Sequence, residues 1–105
     1  DFVTPGSLSP TLVGLLRREL GFRGLIVTDD LADPGVTALT DIPVAAVEAV
    51  RAGADLVYLS GPPAEQDAAF DALVGAVRRG TVTRARLREA VLRNLSVKRN
   101  YGLID

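Results

Sequence analysis

The 105-residue sequence contains no cysteine, no histidine, no methionine and no tryptophan, and its single lysine is Lys98. Without cysteine there is no disulfide, thiolate nucleophile or thiolate metal site, although that does not assign a compartment. Without histidine there is no His-based metal site, no Ser-His-Asp triad and no histidine general base within this stretch. Ser7, Ser9 and Ser60 therefore have no imidazole partner here, and no Gly-x-Ser-x-Gly elbow surrounds any of them. The glycines at 21, 24, 53, 61, 80 and 102 punctuate the chain and match neither phosphate-cradling pattern, Gly-x-Gly-x-x-Gly or Gly-x-x-x-x-Gly-Lys. Apolar runs stop at four or five residues, as in Leu56-Val57-Tyr58-Leu59. No membrane span is expected from runs that short. Asp1-Phe2-Val3-Thr4-Pro5 has neither a basic nor an apolar signal-peptide region, so no signal is visible in this segment and the localisation is left open.

What is present is ordinary for a globular domain: 48% apolar and 24% charged residues. The near-neutral charge hides an asymmetry. Residues 1–77 hold four arginines against eleven acids, and residues 78–105 hold seven arginines and Lys98 against Glu89 and Asp105. A basic tail fits either an acidic partner or the solvated face of an amphipathic helix. The tail has one aromatic, Tyr101, and no stacking pattern, so no nucleic-acid partner is expected.

Along the chain, helices alternate with strands. Ser9-Pro10 has the form of an N-cap followed by proline in the first turn. Leu12, Leu15, Leu16 and Leu20 then recur at helical spacing, Gly21 fits a left-handed C-terminal cap, and Phe22 is placed to pack back over the last turn. Gly24-Leu25-Ile26-Val27-Thr28 is a continuous apolar run, the pattern of a strand buried on both faces in a parallel sheet. Residues 31–41 read as a loop. Asp41 is placed to cap a second helix, marked by Val44, Val47 and Arg51 and ended by Gly53. Leu56–Ser60 reads as a second buried strand. A third helix carries Phe70, Leu73, Val74 and Val77 on one face to about Arg79, and a last one, capped by Thr83, aligns Leu87, Val91 and Leu95.

The order α-β-α-β-α-α defines an α/β class with parallel strands and right-handed crossovers. Two strands are too few for an independent sheet, and each would keep an unpaired edge. The chain is therefore expected to be a piece of a larger α/β structure or to assemble with something.

Asp29 ends the first strand. The C-terminal edge of a parallel sheet is where ligands and catalytic groups gather. A carboxylate held there serves as nucleophile, base or metal ligand, or it caps the following turn. Asp30 alternates to the other side and reads as a supporting turn or cap residue. Asp33 lies in a Pro-Gly loop and reads as turn chemistry. Glu19, Glu48, Asp67, Asp71 and Glu89 fall on predicted helices and read as solvated.

The stretch from Pro5-Gly6-Ser7-Leu8-Ser9-Pro10 through Leu16-Arg17-Arg18-Glu19-Leu20-Gly21-Phe22-Arg23-Gly24-Leu25-Ile26-Val27-Thr28-Asp29-Asp30-Leu31 resembles the family 3 glycoside hydrolases, and most the β-N-acetylhexosaminidase branch. Glu48–Leu56, with its Ala52-Gly53-Ala54-Asp55, and the closing Ala90–Lys98 with Gly102-Leu103 match later segments of that family in order. The resemblance covers nearly the whole chain. It implies a (β/α)8 barrel, with residues 1–105 as the C-terminal segment of the barrel domain, because a full barrel needs about 250 residues. It implies retaining hydrolysis of β-linked N-acetylhexosamine in glycans, with Asp29 as nucleophile and Asp30 in a supporting role. It also implies a carbohydrate substrate, no metal ion and no cofactor. The proton donor would be a histidine on a mobile loop upstream, so these residues alone are expected to be inactive and to need the remainder of their own barrel. The residues contacting the sugar are not identified by the resemblance. Two positions depart from the family pattern: Asp33, followed by Pro34, stands where a methionine is usual, and Asn94 where an apolar residue is usual.

Two other readings remain at this point. One is a small α/β domain holding a divalent metal or phosphoryl group on Asp29, Asp30 and Asp33. The other is a degenerate, non-catalytic homologue.

Overall fold

The computed structural model describes residues 9–105, so the Pro5–Leu8 part of the opening motif lies outside the described residues. Ser9 caps the first helix, α1 (Pro10–Gly14), by accepting from the Leu12 N–H at 3.2 Å. The expected continuation to Leu20 is present, but its winding widens into a π-helical turn over Leu15–Glu19. The Leu20 N–H reaches the Leu15 carbonyl at 3.0 Å, and the Phe22 N–H reaches the Leu16 carbonyl at 2.8 Å. In this widened turn, Arg17 donates to the carbonyls of Phe22 and Gly24 and to Asp55. Gly21 has the expected positive φ of 65°. Phe22 lies against Gly24, and its ring centroid is 5.6 Å from the Arg17 guanidinium.

The two expected strands form a parallel pair, reduced to one regular bridge, Val27 with Leu56. Leu56 N–H donates to the Ile26 carbonyl at 3.2 Å and Thr28 N–H to the Leu56 carbonyl at 3.0 Å. The expectation that both faces are buried is corrected here. Ile26, Val57 and Leu59 pack against the core cluster. The opposite face is open: Val27 is 49%, Leu56 46% and Tyr58 54% exposed.

Between the strand segments, the expected loop contains a short helix, α2 (Pro34–Thr37), capped by Asp33 through the Gly35 N–H at 2.8 Å. Helix α3 (Ile42–Ala52) begins at Asp41, whose side chain makes no capping bond. Helices α4 (Pro63–Arg79) and α5 (Arg84–Asn100) follow. Thr83 caps α5 by accepting from the Arg86 N–H at 3.1 Å.

The helix faces differ from those predicted. Helix α3 buries Ala45, Ala46, Ala49 and Ala52, while Val44 is exposed. Helix α4 buries Ala69 and Ala76, while Phe70 is exposed, and α5 buries only Ala90. Small side chains let α3 and α4 approach closely, and this is the most extensive contact between helices. Leu31 and Val36 complete the core with Ala45, Ala46, Ala49, Ala54 and Ala69. Gly53 ends α3 at φ 122°, and a Cβ there would stand 2.6 Å from Val13 of α1. Glycine is thus required both for the turn and for the approach of α1.

Candidate active site

The site grows from the end of the parallel pair. After Thr28 the chain leaves the regular ladder, and both Asp29 and Asp30 fall in the departure. Asp29 is exposed. Asp30 is half-buried and spans to the second strand segment. Its Oδ1 accepts from the Ser60 N–H at 3.0 Å and the Ala32 N–H at 3.0 Å, and its Oδ2 accepts from the Ser60 hydroxyl. The Ser60 hydroxyl, followed by the Ser60 and Ala32 N–H groups, holds the Asp30 carboxyl below its ordinary value against the opposing effect of desolvation. Asp30 is therefore an ionised brace between the two strand ends.

One further side chain replaces backbone here. The Thr28 hydroxyl accepts the Tyr58 N–H at 2.9 Å, and the Leu31 N–H reaches the Tyr58 carbonyl at 3.1 Å. Neither Thr28 nor Ser60 stands out in the sequence. The available signal was their position: each ends an apolar run beside a predicted turn.

At the opposite end of the second strand segment lies a cluster that the sequence reading missed. The Asp55 side chain is fully enclosed, and Arg17, Arg86 and Arg93 all pair with it. Arg86 also donates to the carbonyls of Val50 and Ala54, and Asn94 donates to the Asp55 carbonyl at 2.8 Å. The polar Asn94 thus ties α5 to the start of the second strand segment. Burial pushes the Asp55 carboxyl up. The bonds from Arg86, the Ile26 N–H and Arg93, with the charge of Arg17, outweigh burial and hold it below its ordinary value. Glu89, read as solvated, is half-exposed and pairs with Arg86 at 2.9 Å and Arg93 at 2.7 Å. Part of the basic tail is therefore turned inward. The seven-residue spacing of Arg86 and Arg93, which places them on one helix face, was the signal available for it.

Asp29, Asp30 and Asp33 do not converge as a metal ligand set. Asp33 is committed to the Gly35 N–H and Asp30 to Ser60 and Ala32. Among the described residues, no group of three Asp, Glu, His or Cys side chains is placed to hold a metal ion. Among the same residues, no helix is long and apolar enough to cross a membrane.

A parallel strand pair backed by helices on one face, with carboxylates at its C-terminal edge, is the pattern of an α/β fold of the barrel or open-sheet kind. Comparison with known proteins makes this specific. Residues 3–97 match the family described as "Glycosyl hydrolase family 3 N terminal domain". The chain belongs to glycoside hydrolase family 3. It is 33% identical over 102 residues, 96% of its length, to a "Beta-N-acetylglucosaminidase/beta-glucosidase" of Cellulomonas fimi. It is 38% identical over 73 residues, 70% of its length, to a "Beta-hexosaminidase" of Thioalkalivibrio sulfidiphilus. The solved structure of a family 3 β-N-acetylglucosaminidase from Paenibacillus superposes over 90% of the chain, with a TM-score of 0.88 and 41% identity. The chain spans 18%, 21% and 18% of these three proteins respectively. The observed fold is a portion of their (β/α)8 barrel, with the ring not closed by these residues.

Proposed function

We propose that residues 1–105 form the C-terminal segment of the barrel domain of a retaining glycoside hydrolase that releases β-linked N-acetylhexosamine from glycans. The position of Asp29, an exposed residue at the C-terminal end of the parallel pair in a family 3 chain, carries this reading. The printed activities of the Cellulomonas fimi, Thioalkalivibrio and Paenibacillus proteins support the choice of sugar. The open face of Val27, Leu56 and Tyr58 is the face that a closed barrel turns inward, which supports the remainder of the barrel as the chain's necessary partner.

In the proposed reaction, the Asp29 carboxylate attacks the anomeric carbon. The glycosidic C–O bond breaks, and the leaving oxygen takes a proton from an acid supplied by the rest of the barrel. Water then attacks the anomeric carbon of the glycosyl-enzyme, loses a proton to the same group and frees Asp29. Asp30 supports Asp29 by fixing the backbone on its C-terminal side to Ser60 and Ala32.

The test is Asp29→Gly in the intact protein, assayed with an aryl β-N-acetylglucosaminide and then with added azide. A retaining nucleophile predicts loss of hydrolysis and azide-dependent formation of the α-glycosyl azide, a single displacement. Retained hydrolysis in the variant would overturn the assignment.

A further inference from the structure

The strand pair contains an irregularity centred on Asp29. The carbonyls of Leu56 and Tyr58, two residues apart, accept from Thr28 and Leu31, three residues apart, each within 3.1 Å. The first segment thus holds one residue more than its partner, a bulge spanning Asp29 and Asp30. Bulges re-aim side chains, and they cost ladder bonds that something must replace. Here side chains replace them. The Tyr58 N–H goes to the Thr28 hydroxyl at 2.9 Å, and the Ser60 N–H goes to the Asp30 carboxylate at 3.0 Å. Thr28 is buried. The Ser60 hydroxyl adds a second bond to Asp30. The bulge is therefore pinned on both sides of Asp29, by Thr28 immediately before it and by Asp30 immediately after it.

We propose that Thr28 and Ser60 are positioning residues for the reaction: together they hold the bulge that sets where the Asp29 carboxylate stands relative to the anomeric carbon. This rests on the reading of Asp29 as nucleophile. Neither hydroxyl is required to touch the sugar. Misplacing a reacting atom by about 1 Å costs on the order of 100-fold in rate.

The experiment uses the intact protein with Thr28→Val, Thr28→Ser, Ser60→Ala and Asp29→Gly. In the variants that keep Asp29, active sites are counted by covalent trapping with a fluorinated glycosyl inactivator, so kcat refers to folded, competent enzyme; Asp29→Gly, which has no carboxylate to trap, is normalised to folded protein. Denaturant unfolding is measured alongside. Thr28→Val keeps shape and removes the acceptor. The expected result is a kcat per titrated site lowered by ~10- to 100-fold, with KM unchanged. Ser60→Ala should give a smaller loss of the same kind, because both N–H bonds to Asp30 survive. Thr28→Ser, which retains the hydroxyl, should restore most of the rate.

If Thr28→Val is less stable but turns over normally per titrated site, its hydroxyl is only structural and the inference is overturned. A rise in KM with unchanged kcat overturns it as well. If Asp29→Gly is inactive while Thr28→Val is normal, the inference alone fails. If Asp29→Gly hydrolyses normally, the nucleophile assignment fails and the inference falls with it.

Discussion

The guanidinium of Arg86 donates to the enclosed carboxylate of Asp55 at 2.8 Å, joining the first turn of the last helix to the start of the second strand segment. Arg17, from the π-helical turn, and Arg93, further along the same last helix, converge on the same carboxylate. Removing the anion leaves three partly buried cations facing one another. Asp55→Asn in the intact protein is expected to lower unfolding free energy by ~3–5 kcal/mol, the scale of a broken buried pair. Urea denaturation checks it, and a loss well under 1 kcal/mol would show that solvent already carries these charges.

The same residue sets an acid limit. Its carboxyl is held below the ordinary value of 3.8 in the folded state. A depressed carboxyl contributes its full stability above the unfolded value, and that contribution disappears as pH falls through the folded value. Stability should therefore fall steeply below about pH 4, and Asp55→Asn should flatten that limb. Denaturation midpoints measured downward from neutral pH give the comparison. Parallel acid limbs in the two proteins would place the titration elsewhere.

Gly53 joins a φ of 122° to a close approach by Val13. Gly53→Ala is expected to cost about 1–3 kcal/mol from the backbone conformation alone, with the clash in addition. The companion Gly80→Ala, at φ 78° with open space around its Cβ, should cost less. Equal losses at the two sites would show that the Val13 contact adds nothing.

Thr83→Ala removes the acceptor for the Arg86 N–H at the start of α5. The expected loss is ~1 kcal/mol, that of an ordinary N-cap. Arg86 also reaches Asp55, so a double-mutant cycle of Thr83→Ala with Arg86→Met should show non-additivity. Strict additivity would mean that the cap does not hold the guanidinium in place.

Asp29→Asn in the intact protein is expected to lower kcat on the order of 10⁴-fold, the scale of losing one member of a catalytic unit. Residues 1–105 produced alone should show no turnover, because the acid is expected outside them. Release of an aryl aglycone reads both. Activity in the isolated segment would mean that the proton donor lies within it.

Local chemistry was legible in the sequence where a residue acts on its own neighbours. Ser9 and Thr83 cap their helices as expected, because a short oxygen side chain stands next to free N–H groups, whereas Asp41, also expected to cap, makes no such bond. Gly21 and Gly80 take positive φ where helical patterns end. The parallel pair was legible in two apolar runs separated by a helix. Helix faces were not legible, because large apolar residues outweigh alanine in any reading of periodicity. The contact between α3 and α4 buries alanines and leaves Phe70 outside.

The sequence by itself determined the family, the helix ends, the parallel order and the location of Asp29 at a strand terminus. All of these depend on residues within a few positions of one another or on motifs in fixed order. Only the tertiary structure decided what the charges and hydroxyls do. The Asp55 carboxylate pairs with arginines up to 38 positions away, and the Asp30–Ser60 brace joins residues 30 apart. An aspartate in an apolar strand and a serine at its end look alike whether they face water or each other. The fold resolves that by removing water from one and supplying N–H and hydroxyl donors to the other, at distances no local pattern encodes.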